Sequence, residues 1–260
     1  MESRNRDRFK SIPDLEWLPP YFLTPQSAPG GIHLKKVVFI GYTDMSAAGS
    51  RALFGLSMSK EYETVKIHGL ESLEMVCRRA EPEEATERKL EAVQILHCKY
   101  EEFTLLIFNC LIPASVCHHV ADKILSLCKS SKVEKLVILS TQKILQLDEF
   151  DDEVKPIYEN AYNSDPVTKH LPFPPDTKIV DPFLSTLIQM IQFEDLPCHI
   201  FTSPAHKAVP GPANDYDGSF QAITQFHAVL KKWSRLHFDE EFSQSLTYRD
   251  PGSDSEMMYV

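Results

Sequence analysis

The stretch from residue 103 to residue 140 restricts the possible folds of this chain most. The apolar runs at residues 103–108 and 135–140 are typical of buried strands. Between them, Pro113 opens a helix that extends to about Ser130, with apolar residues every three or four positions. A strand, a helix and a second strand in this order form a crossover between parallel strands. The sequence therefore predicts an α/β fold whose sheet is at least partly parallel.

A second strand-and-helix unit is predicted near the start of this folded region. Residues 34–40 form a β-branched run, and Thr43, Asp44 and Ser46 offer N-caps for a helix to about Met58. The turn between them lacks the glycine spacing of a dinucleotide- or phosphate-binding loop. We therefore expect a simple capped turn at this position.

The remaining patterns complete one sheet. They predict a short strand at 64–67, an antiparallel hairpin of 92–98 with a central strand 103–108, a helix starting at Asp181 and Pro182, a strand at 198–203 and a last helix over 220–233. The order of these elements fits helices on both faces of one sheet. The predicted fold is a single three-layer α/β/α sandwich with a mixed, partly parallel sheet.

Composition divides the chain into three parts. Residues 1–33 are rich in proline and predict a flexible arm, and residues 34–238 predict the folded domain. Within that domain, residues 148–180 form an acidic and then proline-rich insertion, which we interpret as a solvated loop without regular structure. Residues 239–260 predict a flexible tail.

Charge and cysteine content exclude several classes of protein. The net charge of -10 argues against a nucleic-acid binder, which needs a basic face. No apolar run is long enough to span a membrane, and no basic-then-apolar leader opens the sequence. The six cysteines lie in apolar runs without the close pairs of a zinc site, so we interpret them as buried reduced thiols. We expect a soluble protein of the cytoplasm, and possibly of the nucleus.

No pattern predicts catalysis or metal binding. Cys117, His118 and His119 are neighbours on the predicted helix, and neighbouring residues of a helix do not share a face. Cys198 and His199 lie on a strand, where adjacent side chains alternate, so we expect one core and one edge residue. We therefore expect no enzyme activity, no catalytic residue, no metal and no cofactor.

The last residues of the sequence look like a peptide ligand. Residues 249–256 are turn formers and acids that cannot build a core. They are followed by Met258, Tyr259 and Val260, which are hydrophobic, aromatic and hydrophobic in turn. A hydrophobic end on a polar linker favours insertion into a pocket of another protein.

With the sheet and the tail considered together, the chain resembles the 20S proteasome assembly chaperone family. The resemblance runs from residues 36–41 through residues 136–139 and 181–184 to the last long helix, and it includes Met258, Tyr259 and Val260. It implies an α/β/α sandwich that forms a heterodimer with a second chaperone, proteasome assembly chaperone 2. It also implies that this complex binds the α-subunits of the 20S α-ring and promotes correct ring assembly.

The resemblance also assigns roles to the three terminal residues. It implies a hydrophobic-Tyr-X (HbYX) motif that enters a pocket between neighbouring α-subunits. In such a motif Met258 is the hydrophobic residue, Tyr259 is the aromatic one, and Val260 supplies the carboxylate that meets a pocket lysine. These three residues are the predicted partner-binding site.

Two other functions are compatible with the sequence. Met258 and Val260 at a free carboxylate also match a PDZ ligand, which adds a strand to a sheet edge and buries alternate side chains. The predicted sandwich also occurs in phosphorylase-like enzymes, although a shared fold is weak evidence for activity.

Overall fold

The computed structural model describes nine segments of the chain: residues 32–55, 62–66, 76–79, 87–89, 93–98, 101–143, 156–206, 211–234 and 237–248. Their strands are β1 (Val37–Gly41), β2 (Tyr62–Lys66), β3 (Val76–Arg79), β4 (Glu87–Lys89), β5 (Val93–Cys98), β6 (Phe103–Phe108), β7 (Lys135–Gln142), β8 (Tyr158–Tyr162), β9 (Cys198–Pro204) and β10 (Leu246–Tyr248). Their helices are α1 (Ala48–Phe54), α2 (Cys117–Ser130), α3 (Pro182–Phe193), α4 (Ser219–Trp233) and α5 (Glu240–Ser245).

Seven of the strands form one mixed sheet in the order β2-β5-β6-β1-β7-β9-β8. The four inner strands β6, β1, β7 and β9 are parallel, whereas β2, β5 and β8 pair antiparallel to their neighbours. A second, three-stranded sheet has the order β10-β3-β4. The predicted mixed, partly parallel sheet is confirmed.

Helices cover both faces of the large sheet, because alternate residues of the inner strands are apolar on each side. Val38 and Ile138 face the core under α2 and α3, whereas Phe39 and Val137 face the core under α1 and α4. All six residues of β6 are buried, as expected for a strand with neighbours on both sides. The three-layer α/β/α sandwich is confirmed.

Two local predictions are confirmed in detail. The β6–α2–β7 unit is a crossover that places β1 between its two strands. At α3, Asp181 is the N-cap and accepts a hydrogen bond from the backbone N–H of Leu184 at 2.6 Å, and Pro182 is the first residue of the helix. Proline suits this position because the first helical N–H needs no partner.

The predicted start of α1 is wrong. The helix begins at Ala48 after the N-cap residue Ala47, which has a φ of 54° and makes no side-chain capping bond. Asp44 instead accepts hydrogen bonds from the N–H groups of Ser46 and Ala47 and holds the turn before the helix. These bonds hold residues 44–47 in a separate turn before the helix, so the helix starts at Ala48, later than predicted.

Two regions that we expected to lack regular structure contain ordered elements. Strand β8 lies inside the acidic insertion 148–180, and it is the edge strand next to β9. In the tail expected from residue 239, α5 packs on α1 and α4 and β10 pairs with β3. Contacts with distant residues stabilise both regions, and such contacts leave no local sequence pattern.

No helix among the described segments is long and apolar enough to cross a membrane. Residues 1–31 of the predicted arm (1–33) and the predicted helix end near Met58 lie outside the described residues. Ile32, which we also assigned to the arm, is buried in the core under α2 and α3.

Candidate functional site

The predicted binding residues Met258, Tyr259 and Val260 lie outside the described part of the chain, which ends at Tyr248. The structure instead shows how the tail is anchored. Residues 249–260 follow directly on β10, so the tail starts from a residue paired to the three-stranded sheet. At about 3.3–3.6 Å per residue, an extended tail would reach about 40 Å from this root.

Helix α5 fixes the root of the tail to the domain through a buried histidine. The Nε2–H of His227 donates to the carbonyl oxygen of Ala52 at 3.0 Å and lies 3.2 Å from the hydroxyl of Ser243. Ser243 in turn donates to the carbonyl oxygen of Asp239 at 3.1 Å. Burial lowers the pKa of His227, which keeps this imidazole neutral at pH 7.

The contact between α1 and α5 depends on a glycine. The backbone N–H of Asp239 donates to the carbonyl oxygen of Gly55. A Cβ at Gly55 would lie 1.7 Å from the hydroxyl oxygen of Ser243 and 2.7 Å from the carbonyl oxygen of Asp239. The residue after α1 therefore has to lack a side chain for α5 to approach this closely.

The Cys117, His118 and His119 cluster has no catalytic geometry. Cys117 is buried and its thiol donates to backbone carbonyls of the preceding turn, whereas His118 is exposed. Burial, together with the charge of Asp181, raises the pKa of the Cys117 thiol, so it is not a thiolate at pH 7. The described residues contain no group of three or more side chains suited to hold a metal ion.

The cysteines that the structure describes match their prediction. Cys110, Cys117, Cys128 and Cys198 are buried free thiols. Burial raises the pKa of Cys110 and of Cys128 to about 12. The side chains of Cys77 and Cys98 lie outside the described residues.

Asp44 organises the carboxyl ends of β1 and β7. Its carboxylate accepts hydrogen bonds from the N–H groups of Ser46 and Ala47 and from both the N–H and the hydroxyl of Thr141. Burial raises its pKa to about 7, although the bonds from Thr141 oppose this shift. Oδ1 accepts three of these bonds and Oδ2 accepts one, so Asp44 ties the turn after β1 to the end of β7 and stabilises the fold.

We expected one core and one edge residue at Cys198 and His199, and this prediction is wrong, because both residues are fully buried. The Nδ1–H of His199 donates to the carboxylate of Glu159 at 3.0 Å, and its Nε2 lies 3.1 Å from the hydroxyl of Ser164. Neither the His199 nor the Glu159 side chain is exposed to solvent. The hydrogen bonds allow a polar ring to be buried on a covered face of the sheet.

Glu159 also fixes the segment after β8, which we call the strap (residues 163–171). Its carboxylate accepts the N–H groups of Val167 and Thr168 at 2.8 and 2.9 Å and the hydroxyl of Thr168. Burial alone would raise the pKa of Glu159, but these bonds outweigh it and lower the pKa. Glu159 lies in the insertion that we interpreted as a solvated loop, yet it is the buried attachment point of the strap.

The Ser164–His199–Glu159 chain has the bonding order of a catalytic triad. A nucleophilic serine requires a histidine that exchanges protons with the reacting atoms. Here the ring of His199 is fully buried, and the indole of Trp233 lies 5.1 Å from it in an edge contact. The geometry therefore supports a structural role for these three side chains, whose hydrogen bonds hold the strap against β9.

An open cleft separates the strap from α4. We call it the Trp233 cleft, and its walls are Lys135, residues 167–170 of the strap, Lys232 and Trp233. Its volume is about 630 Å³. The ammonium group of Lys135 lies 5.1 Å from the centre of the Trp233 ring, within the range of a cation–π contact.

Sequence reasoning missed both the strap and the cleft. Lys135, Lys169 and Lys232 are far apart along the chain, and only the sheet order brings them to one place. Glu159 and His199 are 40 residues apart. Strand β8 carries little local signal: Tyr158 and Tyr162 favour a strand, but the three residues between them, Glu159, Asn160 and Ala161, are of types that strands disfavour.

Comparison with known proteins gives no match by sequence: no protein-family model and no curated protein matches this chain.

Comparison with solved structures does find similar folds. Pyrococcus furiosus PbaA, an archaeal homolog of proteasome-assembly chaperone, aligns with a TM-score of 0.57 and 13% identity over 79% of this chain and 84% of PbaA. Pyrococcus furiosus PbaB, an archaeal proteasome activator, aligns with a TM-score of 0.55 and 9% identity over 84% of this chain and 89% of PbaB.

A bacterial protein has a similar fold. The Mycobacterium tuberculosis proteasome-assembly chaperone homologue aligns with a TM-score of 0.50 and 14% identity over 75% of this chain and 84% of its own. Each alignment covers most of both chains, so the likeness concerns the whole sandwich. The chain therefore has the fold of these archaeal and bacterial homologues of proteasome-assembly chaperones.

Proposed function

We propose that this chain is a proteasome-assembly chaperone and corresponds to proteasome assembly chaperone 1. The observation that carries the proposal is the whole-domain fold, which is that of PbaA, an archaeal homolog of proteasome-assembly chaperone. The proposal also fits the absence of a free nucleophile–base pair among the side chains described above. A chaperone of this kind acts by binding and has no reaction of its own.

In this proposal the chain forms a heterodimer with proteasome assembly chaperone 2. Large apolar side chains at both ends of α3 support such a partner, since Val180 is 77% exposed and Phe193 is 88% exposed. Stable partners bury apolar side chains of this size at the core of their interface. The heterodimer then offers one combined surface to the α-subunits.

The tail is the proposed contact with the 20S α-ring. Met258 packs beside Tyr259 in a pocket between neighbouring α-subunits, and the carboxylate of Val260 pairs with a pocket lysine. The anchoring of β10 supports this role, because a root fixed to the domain limits the volume that the tail samples. A reach of about 40 Å would allow the tail to enter a pocket while the domain lies on the ring surface.

Identification of the proteins bound in cells tests this function. The full chain with an N-terminal tag, which leaves Val260 free, should recover proteasome assembly chaperone 2 and 20S α-subunits. A chain deleted for residues 258–260 should still recover the partner chaperone and lose α-subunits. Recovery of a PDZ protein, or of neither chaperone nor α-subunits, would contradict the proposal.

A further inference from the structure

We propose that the Trp233 cleft binds a small ligand that carries phosphate. The cleft lies between the strap and α4, on the face of the sheet that α1 and α4 cover. None of the residues that anchor β10 and α5 lines it, and it has no part in the function proposed above. Its volume of about 630 Å³ lies within the range of sites for small molecules.

The charge of the cleft is opposite to that of the chain. Lys135, Lys169 and Lys232 line it, whereas the sequence has a net charge of -10. Among the described residues, no carboxylate lies within 4.0 Å of these three ammonium groups. The lysine–carboxylate pairs of the described residues are Lys36 with Glu134 and Lys129 with Glu194. Three lysines that line one cleft without an ion-pair partner create a local potential that attracts anions.

The buried carboxylate of Glu159 makes no ion pair with these lysines. Both oxygens of Glu159 face the strap and His199, because they accept bonds from Val167, Thr168 and the imidazole. The lysine charges of the cleft also affect the pKa values of the neighbouring imidazoles. After burial, Lys232 contributes to lowering the pKa of His170, and Lys135 contributes to lowering the pKa of His199.

His170 adds a polar atom that the fold leaves unsatisfied. Its Nε2 is buried and has no hydrogen-bond partner, and its residue forms part of the cleft wall. A buried polar atom without a partner is costly unless a ligand or water satisfies it. Because this nitrogen is not exposed, a ligand oxygen would accept a hydrogen bond from it only after the imidazole turned toward the cleft.

The side chains favour phosphate over carboxylate. Among the described residues, the cations that line the cleft are all lysines and no arginine lines it. Arginine is the residue that recognises planar carboxylates through two parallel bonds, whereas lysine binds phosphate as a point charge. Three ammonium groups around one cleft match the several oxygens of a phosphate or diphosphate group.

Trp233 provides a direct readout of binding. The sequence has two tryptophans, so Trp17→Phe leaves Trp233 as the only indole in the full-length chain. Pyrophosphate is the probe, titrated at constant ionic strength and followed by Trp233 fluorescence and by calorimetry. We expect saturable one-site binding, weakened roughly tenfold by Lys169→Gln and by Lys232→Gln, because each removes one charge-assisted bond.

Matched controls separate a site from general charge. Lys123→Gln removes an exposed lysine from α2 on the opposite face, and it should bind like the parent chain. Citrate, which offers carboxylates only, should bind at least tenfold more weakly than pyrophosphate. Binding that does not saturate, that is equal in Lys123→Gln and Lys232→Gln, or that is as tight for citrate would overturn the proposal.

Discussion

At the scale of single residues, the hydrogen bond between His199 and Glu159 determines where the strap lies. Both side chains are fully buried. Glu159 lies on β8 and His199 on β9, and besides bonding to each other both bond to the strap. Burying a carboxylate is costly unless its oxygens are satisfied, and here several donors satisfy them. Loss of one partner would leave the others buried and unpaired.

Glu159→Gln should therefore destabilise the domain. The amide keeps the shape of the side chain but replaces one acceptor with a donor that faces the N–H groups of the strap. We expect the free energy of unfolding to fall by about 2–4 kcal/mol. Urea unfolding measures this, and Glu134→Gln, which removes an exposed pair with Lys36, should change stability little. Equal effects of the two substitutions would contradict the role of Glu159.

The same network makes the domain sensitive to acid. Because the pKa of His199 is lowered in the fold, its stabilising effect is complete above about pH 6.5 and is lost as pH falls through the folded pKa. The lowered pKa of Glu159 acts in the same direction at lower pH, below about 4.3. His170 and His227 also have lowered pKa values and add to the slope.

We therefore expect stability to fall between pH 7 and pH 5.5, as measured by the urea midpoint. His199→Gln should be less stable at pH 7 and should show a shallower decline, since one of the titrating groups is absent. A decline as steep as that of the parent chain would show that His199 does not titrate in this range.

Ser164 should not act as a nucleophile, although it is bonded to His199. The buried imidazole is enclosed by Trp233 and serves to hold the strap. A fluorophosphonate probe should label the parent chain no more than it labels Ser164→Ala. Stoichiometric labelling that is lost in both Ser164→Ala and His199→Gln would indicate a hydrolase and contradict a purely binding function.

At the scale of elements, α5 is the part that connects the domain to the tail. It lies close to α1 only because Gly55 has no side chain, since a Cβ there would overlap Ser243. Gly55→Ala should therefore displace α5 and cost about 1–3 kcal/mol, as overpacking of a close contact usually does.

Hydrogen exchange at residues 240–248 measures this displacement directly. Gly55→Ala should speed exchange in α5 and β10 while α2 and α3 stay protected. Adding Ser243→Ala should restore part of the stability, because the carbonyl oxygen of Asp239 still lies 2.7 Å from the new Cβ. Unchanged exchange in α5 would contradict the packing described here.

The elements also show how far the sequence predicts the structure. The β6–α2–β7 crossover and the start of α3 at Asp181 were predictable because local signals coincide with tertiary packing. Strand β8 was not, because Glu159 needs His199 and the strap to be buried. Of the two proposed binding sites, the tail can be proposed from three consecutive residues, whereas the Trp233 cleft depends on residues that only the sheet order brings together.

At the scale of the whole molecule, the proposed heterodimer predicts that the chain does not remain a soluble monomer without its partner. Exposed apolar side chains such as Phe193 promote self-association when no partner covers them. Expressed singly, the chain should aggregate or self-associate, whereas co-expression with proteasome assembly chaperone 2 should give a soluble one-to-one complex. A stable monomer that ignores this partner at micromolar concentration, by sizing and calorimetry, would contradict the pairing.

The tail distinguishes the α-ring pocket from a PDZ domain. If the tail docks in the α-ring pocket as proposed, Tyr259 would be buried and the Val260 carboxylate would pair with a lysine, so leaving that lysine unpaired would cost about 2–5 kcal/mol. One residue added after Val260 would move the carboxylate by about 3.5 Å. A PDZ domain instead reads positions 258 and 260, with the residue between them facing outward.

Co-purification of α-subunits with tail variants of the heterodimer, at fixed salt because ion pairs are screened, tests the central claim most directly. Tyr259→Ala, deletion of residues 258–260 and a one-residue extension should each reduce α-ring recovery while proteasome assembly chaperone 2 stays bound. If Tyr259→Ala and the extended chain both recover the α-ring as well as the parent chain does, the proposed docking of the tail is wrong.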